Sequence, residues 1–352
     1  MARYHSRYSP ADLQEILSTL TDAGYIRELP PHWQQQAGTG FIPAWMRMEG
    51  NSDIAFLSCR TPDTRHIATS MTTRQHPDLW MHHHLSLRRH IRQSPMFPKA
   101  ISEALAVAFE DTYEAGNAGY VEALCNANKR FNQTLYGGYH RVYPNADDFR
   151  LESFVLYDFP ARMDPLIKDA EDLSIVPVDL RDIPRSILLQ SFSPMTAKAY
   201  GLLDTPGTFH TLEQQYRQAG AFRGRCALAC QDDKGTVCAW AIIDITTPEP
   251  SLFGLCNQTY ILPGHPGHPQ AAMAKLRLIN MASRLYYSQG LHWFKVQMPH
   301  PDTDIASWAH CEAEGNRWIG PLEAIPRWVT YLRTHFYQNL RTYYERKQNA
   351  EA

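Results

Sequence analysis

A cluster of basic side chains is the first feature with the chemistry to hold a ligand. Arg88, Arg89 and Arg92, with Lys99 close behind, form the strongest local patch of positive charge in the chain. Guanidinium groups donate in a fixed fork that matches phosphate oxygens, so this stretch could hold a phosphate-bearing ligand. A solvated basic edge is the structural alternative.

Histidines form a second group of candidates. His300 and His310 follow a strand-like apolar run at 293–298, and each could accept a proton from an amine near neutral pH or could be an ordinary surface histidine. His82 and His84 would share one face of a strand, but two ligands do not make a metal site. The sequence therefore predicts no metal centre.

Composition indicates the class of protein. The chain has 352 residues, of which 44% are hydrophobic and 20% charged, as in soluble globular proteins with two domains. A formal net charge of −2 gives no global attraction to nucleic acid or to an anionic membrane. The seven cysteines contain no Cys-x-x-Cys pair, and no apolar run approaches the length of a membrane span. We therefore expect a cytoplasmic protein with no membrane partner.

One order of elements occurs twice along the chain: strands, a crossing, a helix and a further strand. The first copy is predicted at 53–59, 66–73, 79–87, 98–114 and 120–125. The second copy is predicted at 226–230, 237–244, 255–262, 270–288 and 293–298. Alternating and continuous apolar runs predict the strands, and 3.6-residue periodicity predicts the helices. The fold class expected from this pattern is α/β, with two mixed-sheet units and flanking helices.

The domain boundaries follow from proline, glycine and charge. We expect an N-terminal helix and an irregular segment or lid at 1–52, a first domain at 53–165, and a second domain with a C-terminal helix at 166–352. The helix at 325–346 carries an aromatic stripe, which is typical of a core or of a homodimer contact.

The repeated order resembles the central layout of the GCN5-related N-acetyltransferase (GNAT) fold, here as two units in tandem. In that family, backbone N–H groups at a helix N-terminus hold the pyrophosphate of coenzyme A, as expected for anion binding by a helix start. The segment with Asn126, Asn128, Tyr136 and Tyr139 resembles the family's Asn, Leu-Tyr and Gly-Phe pattern. The resemblance implies that Tyr136 is the acid for a leaving thiolate and that the two asparagines contribute to donor binding.

The resemblance also places further residues in a cleft. Glu122 would lie over the point where the central strands separate, although a solvated strand face is the alternative. Tyr136 could equally be an aromatic packing residue. The first phosphate-loop position has no glycine, so Arg88 and its neighbours would replace the missing N–H donors. In the second loop, Gly267 fits a glycine position, but Pro266 and Pro269 remove N–H donors.

Degenerate tandem GNAT folds, including the FemX type, imply an acyl or aminoacyl transferase. The donor would be acyl-coenzyme A, an acyl-carrier protein or an aminoacyl-tRNA. The acceptor would be a small-molecule amine that attacks the thioester or ester directly. No tightly bound cofactor is expected. The alternative is a non-catalytic, nucleotide-binding or scaffold protein in which the donor site has been lost.

Overall fold

The computed structural model describes residues 3–5, 10–48, 51–60, 68–166, 172–203 and 208–351. The chain forms two compact units. Unit 1 comprises Met1–Pro30, Met48–Glu152 and Asn316–Ala352, and unit 2 comprises Pro31–Arg47 and Ser153–Gly315.

The elements alternate in type along the chain. The strands are β1 Arg3–His5, β2 Ala55–Arg60, β3 Ala68–His76, β4 Leu79–Leu87, β5 Tyr120–Asn126, β6 Arg150–Pro160, β7 Leu173–Val178, β8 Phe222–Asp232, β9 Val237–Thr247, β10 Gln258–Pro263, β11 Trp293–Met298 and β12 Cys311–Pro321. The helices are α1 Pro10–Asp22, α2 Tyr25–Glu28, α3 Pro31–Met48, α4 Arg89–Arg92, α5 Phe97–Ala115, α6 Arg130–Val142, α7 Arg185–Ser191, α8 Pro194–Ala199, α9 Thr208–Gln218, α10 Ala271–Ser288, α11 Thr303–Ala306, α12 Ile325–Tyr331 and α13 Tyr337–Glu351. A π-helical turn at Leu332–Phe336 joins the last two helices. None of the described helices combines the length and apolarity needed to cross a bilayer.

Unit 1 is built on a mixed sheet with the order β1–β2–β3–β4–β5, followed by residues 316–321 of β12. The first four strands are antiparallel, and β4 pairs with β5 in parallel. Helix α5 makes the parallel crossing and buries Ile101, Leu105, Ala108 and Phe109, whose spacing of three and four residues forms one helix face. The same core includes α6 and the C-terminal helices.

Unit 2 repeats this plan. Its sheet runs from residues 153–160 of β6 through β11, β10, β9 and β8 to β7. Strands β10 and β11 are parallel and the other pairings are antiparallel. Helix α10 makes the crossing and buries Leu278, Ile279, Ala282 and Tyr286 on one face. The predicted class, two mixed α/β units with flanking helices, is confirmed.

The segment at 30–52 differs from the expectation. The segment at 30–52 was expected to be irregular, but Pro31–Met48 is helical and contains Pro43. The buried face of α3, with Phe41, Trp45 and Met48, outweighs the local cost of its prolines and glycines. Pro31 opens the helix, where its missing N–H group is not needed.

The assignment of chain segments to units also differs from the sequence-based boundaries. The C-terminal helix was assigned to the second domain, whereas Trp328, Tyr331, Leu332 and Phe336 belong to the unit 1 core. Strand β12 was not predicted. Its residues from Asn316 onwards belong to unit 1, as does the rest of the chain. Conversely, residues 155–160, which lie within the predicted first domain at 53–165, pair with β11 in unit 2. Hydrophobic periodicity identifies a strand or helix but does not state which sheet or core receives it.

Candidate functional site

In unit 1, strands β4 and β5 separate part-way along their length. They pair from Leu79 with Tyr120 to His82 with Ala123, and the register ends there. Strand β4 continues to Leu87 and β5 continues to Asn126. Backbone groups on the facing edges beyond His82 are therefore outside this ladder, and such groups can bind a ligand.

A β-bulge lies just after this point of separation. On β3, Thr69 and Met71 are two residues apart, but their partners on β4, Ser86 and His83, are three apart. His84 lies in the part of β4 that contains the extra residue. Its φ of 57° is a left-handed backbone conformation that is uncommon for a residue with a side chain. Such strain is concentrated at ligand sites, so the bulge marks this position as a candidate site.

Aromatic and thiol side chains surround the separated ends of the strands. The ring of Tyr25 meets His84 edge-on with 5.8 Å between ring centroids. Tyr136 stacks on Trp328 at 5.9 Å and is only 7% exposed. Burial raises the pKa of the Tyr136 phenol well above its ordinary value, and neighbouring Cys125 and Tyr25 add to the rise. The phenol therefore remains protonated at neutral pH, as an acid must, although the ring is also part of the core.

Another histidine of β4, His82, has structural partners. His82 lies between the hydroxyl groups of Thr72 and Thr112, at 3.4 and 2.7 Å, and stacks on Phe109. Burial lowers its pKa to about 3, and His83 also adds to the decrease. Both ring nitrogens of His82 are occupied, so the structure gives no support to a metal site at this residue.

Glu122, predicted over the cleft, is held in an ion pair. Its carboxylate lies 3.3 Å from the Nε of Arg317, and the Nη1 of Arg317 lies 3.4 Å from Glu152. Glu122 is 1% exposed. Because its charge is already compensated by a buried guanidinium, Glu122 is poorly placed to act as a base.

The basic crossing, which comprises residues 88–92 after β4, already makes hydrogen bonds with other groups of the protein. The backbone N–H of Arg89, at the start of α4, donates to the Asp22 carboxylate at 2.7 Å, and Arg92 Nη1 donates to the carbonyl of Ala23 at 2.5 Å. A carboxylate thus takes a backbone donor that an anionic ligand would use. An open cavity of about 530 Å³ adjoins these groups and is lined by Leu17, Ser18, Thr21, Asp22, Gly24, Arg27 and Arg89. Arg88 precedes α4 and contributes no side-chain cap to it.

The asparagines and the second loop have local structural roles. The Oδ1 of Asn126 accepts from the N–H of Asn128 at 2.8 Å, which forms the turn before α6, and both side chains are exposed. Gly267 is an exposed turn residue with φ of 71°. In the same loop, the ring of His268 accepts from the N–H of Gln270 at 3.2 Å and pairs with Asp232. These contacts use part of the backbone donor set at the beginning of α10.

Unit 2 contains a polar cluster centred on Asp158 of β6, which is 2% exposed. Its Oδ2 lies 3.0 Å from His32 Nε2 and accepts from Trp33 Nε1 at 2.8 Å and from Cys311 Sγ at 3.1 Å. Its Oδ1 pairs with Lys295. Burial alone would raise the pKa of Asp158, but Lys295, His32 and Trp33 hold it below the usual range.

The structure brings one of the two predicted histidines of unit 2 to this cluster. The ring of His310 lies 4.7 Å from that of His32 and 5.0 Å from that of Trp293. The backbone N–H of His310 donates to the backbone carbonyl of Asp158. His300 is exposed after the end of β11. Cys311 begins strand β12 rather than lying on a helix, and burial beside Asp158 raises the pKa of its thiol to about 12.

Asp158, Lys295 and His32 were not predicted. Asp158 and Lys295 are single charged residues within apolar strand sequences, Phe154–Phe159 and Trp293–Met298. A lone charge in such a run is costly unless it is paired, so the two opposite charges were a usable signal. His32 was overlooked because the segment around it was expected to be irregular.

Comparisons with known proteins give matches to solved structures only, at low sequence identity. No protein-family model matches the sequence. No curated protein matches it either. Among solved structures, a tandem GNAT protein from the clavulanic acid biosynthesis pathway overlaps 91% of this chain and 99% of its own, with 9% identity and a TM-score of 0.45. A GCN5-related N-acetyltransferase from Sphaerobacter thermophilus overlaps 91% of this chain and 96% of its own, with 11% identity and a TM-score of 0.47. One from Kribbella flavida covers 79% of this chain and 94% of its own, with 9% identity and a TM-score of 0.39.

Proposed function

We propose that this chain is an acyltransferase that moves an acyl group from a thioester or ester donor to an amine in unit 1. The observation that carries the proposal is the separation of β4 from β5 after His82, together with the bulge at His84. The separation offers backbone donors and acceptors at the middle of a sheet, where a substrate can lie between two strands. The bulge changes the direction of the chain at that point.

Acyl transfer from such a donor needs a fixed array of donors for the developing oxyanion. We assign that array to backbone N–H groups on the edge of β4 that faces β5, which the fold holds in place before the reaction begins. The amine attacks the acyl carbon directly and forms the C–N bond, while the strand edge stabilises the tetrahedral oxyanion. The C–S or C–O bond to the donor then breaks, the leaving thiolate or alkoxide takes a proton from an acid, and the nitrogen releases its own proton to water. Tyr136 is the acid we assign, because its phenol is kept protonated.

The phosphate groups of the donor would lie at the basic crossing. Arg27 and Arg89 line one cavity, and a nucleotide or phosphopantetheine phosphate would compete with Asp22 for the backbone N–H of Arg89. Acyl-coenzyme A, an acyl-carrier protein and the end of an aminoacyl-tRNA all carry such phosphates. The chemistry shared by the three donors is an activated acyl group linked to a phosphate-bearing arm.

A direct test is an intact-mass and thermal-shift screen of the purified chain with acetyl- and longer acyl-coenzymes A, acylated carrier protein and bulk charged tRNA. We expect one donor class to raise the Tm and to give acylated product with a pooled amine library. Arg89→Ala should weaken donor binding, since the guanidinium would pair with phosphate. If no donor class binds and no amine is acylated, the proposal is wrong.

The acid can be tested separately. Tyr136→Phe should lower kcat by roughly 100-fold or more with little change in donor affinity, as expected for loss of a general acid. Tyr113→Phe is a matched control, because Tyr113 is a 46% exposed residue of α5. Equal turnover in the Tyr136→Phe variant and the wild-type chain would remove Tyr136 from the mechanism.

A second candidate is a non-catalytic nucleotide-binding or scaffold protein. The contact of Asp22 with the backbone of Arg89 favours it, because a protein carboxylate takes a donor that a phosphate would need. In this case nucleotides would shift the Tm without any acyl product. Asp22→Asn would then increase affinity for a phosphate ligand, since the competing negative charge is removed, while turnover would remain absent.

A further inference from the structure

Three potential metal ligands of unit 2 meet at one carboxylate. His32 Nε2 and Cys311 Sγ lie 3.0 and 3.1 Å from the same oxygen of Asp158. All three ligand atoms lie within 4.8 Å of one another. They come from the start of α3, from β6 and from the start of β12, so the fold rather than a local motif places them together.

The distances suit a small ion. Zinc bonds of about 2.0–2.1 Å to nitrogen or oxygen and about 2.3 Å to sulfur place tetrahedral ligand atoms roughly 3.3–3.7 Å apart. The observed separations from the Asp158 oxygen are a few tenths of an ångström shorter, so modest side-chain rotations would admit an ion between them. One imidazole, one thiolate and one carboxylate are a zinc ligand set, and three protein ligands leave the fourth position for water.

The surroundings already orient the central ligand. Trp33 Nε1 donates to Asp158 Oδ2 at 2.8 Å, and Lys295 holds Oδ1, so the carboxylate has the outer hydrogen bonds that metal ligands commonly have. Lys295 also stacks over the Trp33 ring at 4.8 Å, which limits its movement. The positive charge of Lys295 disfavours binding of a cation. When Cys311 loses its proton, the resulting thiolate compensates one of the two positive charges of the zinc ion. We therefore expect micromolar rather than picomolar affinity.

We propose that His32, Asp158 and Cys311 bind one zinc ion, which joins α3 and β12 to β6. The His32 side chain is 8% exposed and Cys311 is partly exposed, so an ion reaches the cluster from solvent through a narrow opening. The bound state exchanges the thiol-to-carboxylate hydrogen bond for a zinc–sulfur bond, and the thiol proton passes to buffer. His310 lies at the rim of this site through its ring contact with His32.

The test uses the full chain, freed of metal by dialysis against chelator and then titrated with zinc alone. We expect one zinc per chain by native mass spectrometry, release of about one proton in calorimetry with two buffers, and a Tm rise of about 5 °C at a hundredfold excess over Kd. Cobalt should give a sulfur-to-metal charge-transfer absorption that is absent in Cys311→Ser.

Matched variants separate this site from incidental binding. Cys311→Ser and His32→Gln should each weaken zinc binding by at least tenfold, whereas Cys226→Ser and His265→Gln should not, because these residues lie outside the cluster. If Cys311→Ser does not fold, His32→Gln decides the result. Absence of stoichiometric zinc, or equal affinity in the wild-type chain and His32→Gln, would overturn the proposal.

Discussion

Units 1 and 2 share an order of strands and helices, yet they bury different polar chemistry in their sheets. Unit 1 places the neighbouring imidazoles of His82, His83 and His84 in its interior, where burial lowers their pKa. Unit 2 buries the carboxylate of Asp158, which pairs with Lys295 and also meets an imidazole and a thiol. A repeated backbone plan therefore does not imply a repeated site, because the polar residues on the strands differ.

The same contrast extends to the candidate chemistry. Unit 1 has separated strands, a backbone bulge and a protonated phenol, which suit acyl transfer through backbone donors. Unit 2 has a thiol, an imidazole and a carboxylate around one point, which suit a metal ion. Changes of pH and single substitutions should therefore affect the two units differently.

The largest expected effect is an opposite response of the two units to pH. Burial lowers the pKa of His82 and His83 to about 3, so unit 1 should become more stable as pH rises from about 3 to 6.5. Over that window the unfolded chain binds more protons than the folded one. The free energy of unfolding therefore rises by roughly 5 kcal/mol for each histidine. Hydrogen exchange of unit 1 amides, corrected for intrinsic rates, measures the change, and His82→Gln should reduce it.

In unit 2, Glu249 gives stability the opposite dependence on pH. Burial raises the pKa of this carboxyl to about 7, outweighing its hydrogen bonds with Ser251 and Asn257. The folded state then holds a proton that the unfolded state has lost, so stability falls by about 3 kcal/mol between pH 4.5 and 7. Glu249→Gln should remove this decrease. Parallel pH profiles in the two units would contradict the assigned protonation states.

The next effect concerns the ion pair between Asp158 and Lys295 in unit 2. Asp158→Ala leaves Lys295 buried without its carboxylate, which should cost about 3–5 kcal/mol in the free energy of unfolding at neutral pH. Urea denaturation followed by circular dichroism measures the loss. Glu345→Ala, which breaks the exposed Arg341–Glu345 pair, should leave the midpoint unchanged. A similar midpoint for both variants would mean that Asp158 is not a principal stabilising group.

The fold was largely predictable from the sequence, and the candidate sites only partly. Strand β4 and helices α5 and α10 were predicted within one residue of their ends, because strong periodicity and flanking glycines or prolines mark them. The contacts of Asp158 with His32 and Cys311 link residues more than 120 positions apart. No local pattern encodes such contacts, since they depend on which sheet receives β6 and β12.

The smallest expected effect tests the packing of the C-terminal helix on unit 1. A Cβ at Gly138 of α6 would meet the Oη of Tyr331, which is fully buried and donates to the carbonyl of Leu135 at 2.9 Å. Gly138→Ala should therefore destabilise the chain by about 1–3 kcal/mol through overpacking.

The neighbouring glycine is a matched control for this substitution. At Gly137 the nearest atom to a new Cβ is the Nη1 of Arg141, at 3.7 Å, so alanine fits there in ordinary contact. Gly137→Ala should stabilise the helix by roughly 0.5–1 kcal/mol, because alanine favours the helical backbone. Thermal unfolding of both variants measures the difference. If Gly138→Ala is as stable as Gly137→Ala, Tyr331 does not pack closely on α6, and residues 316–352 are not integral to the core of unit 1.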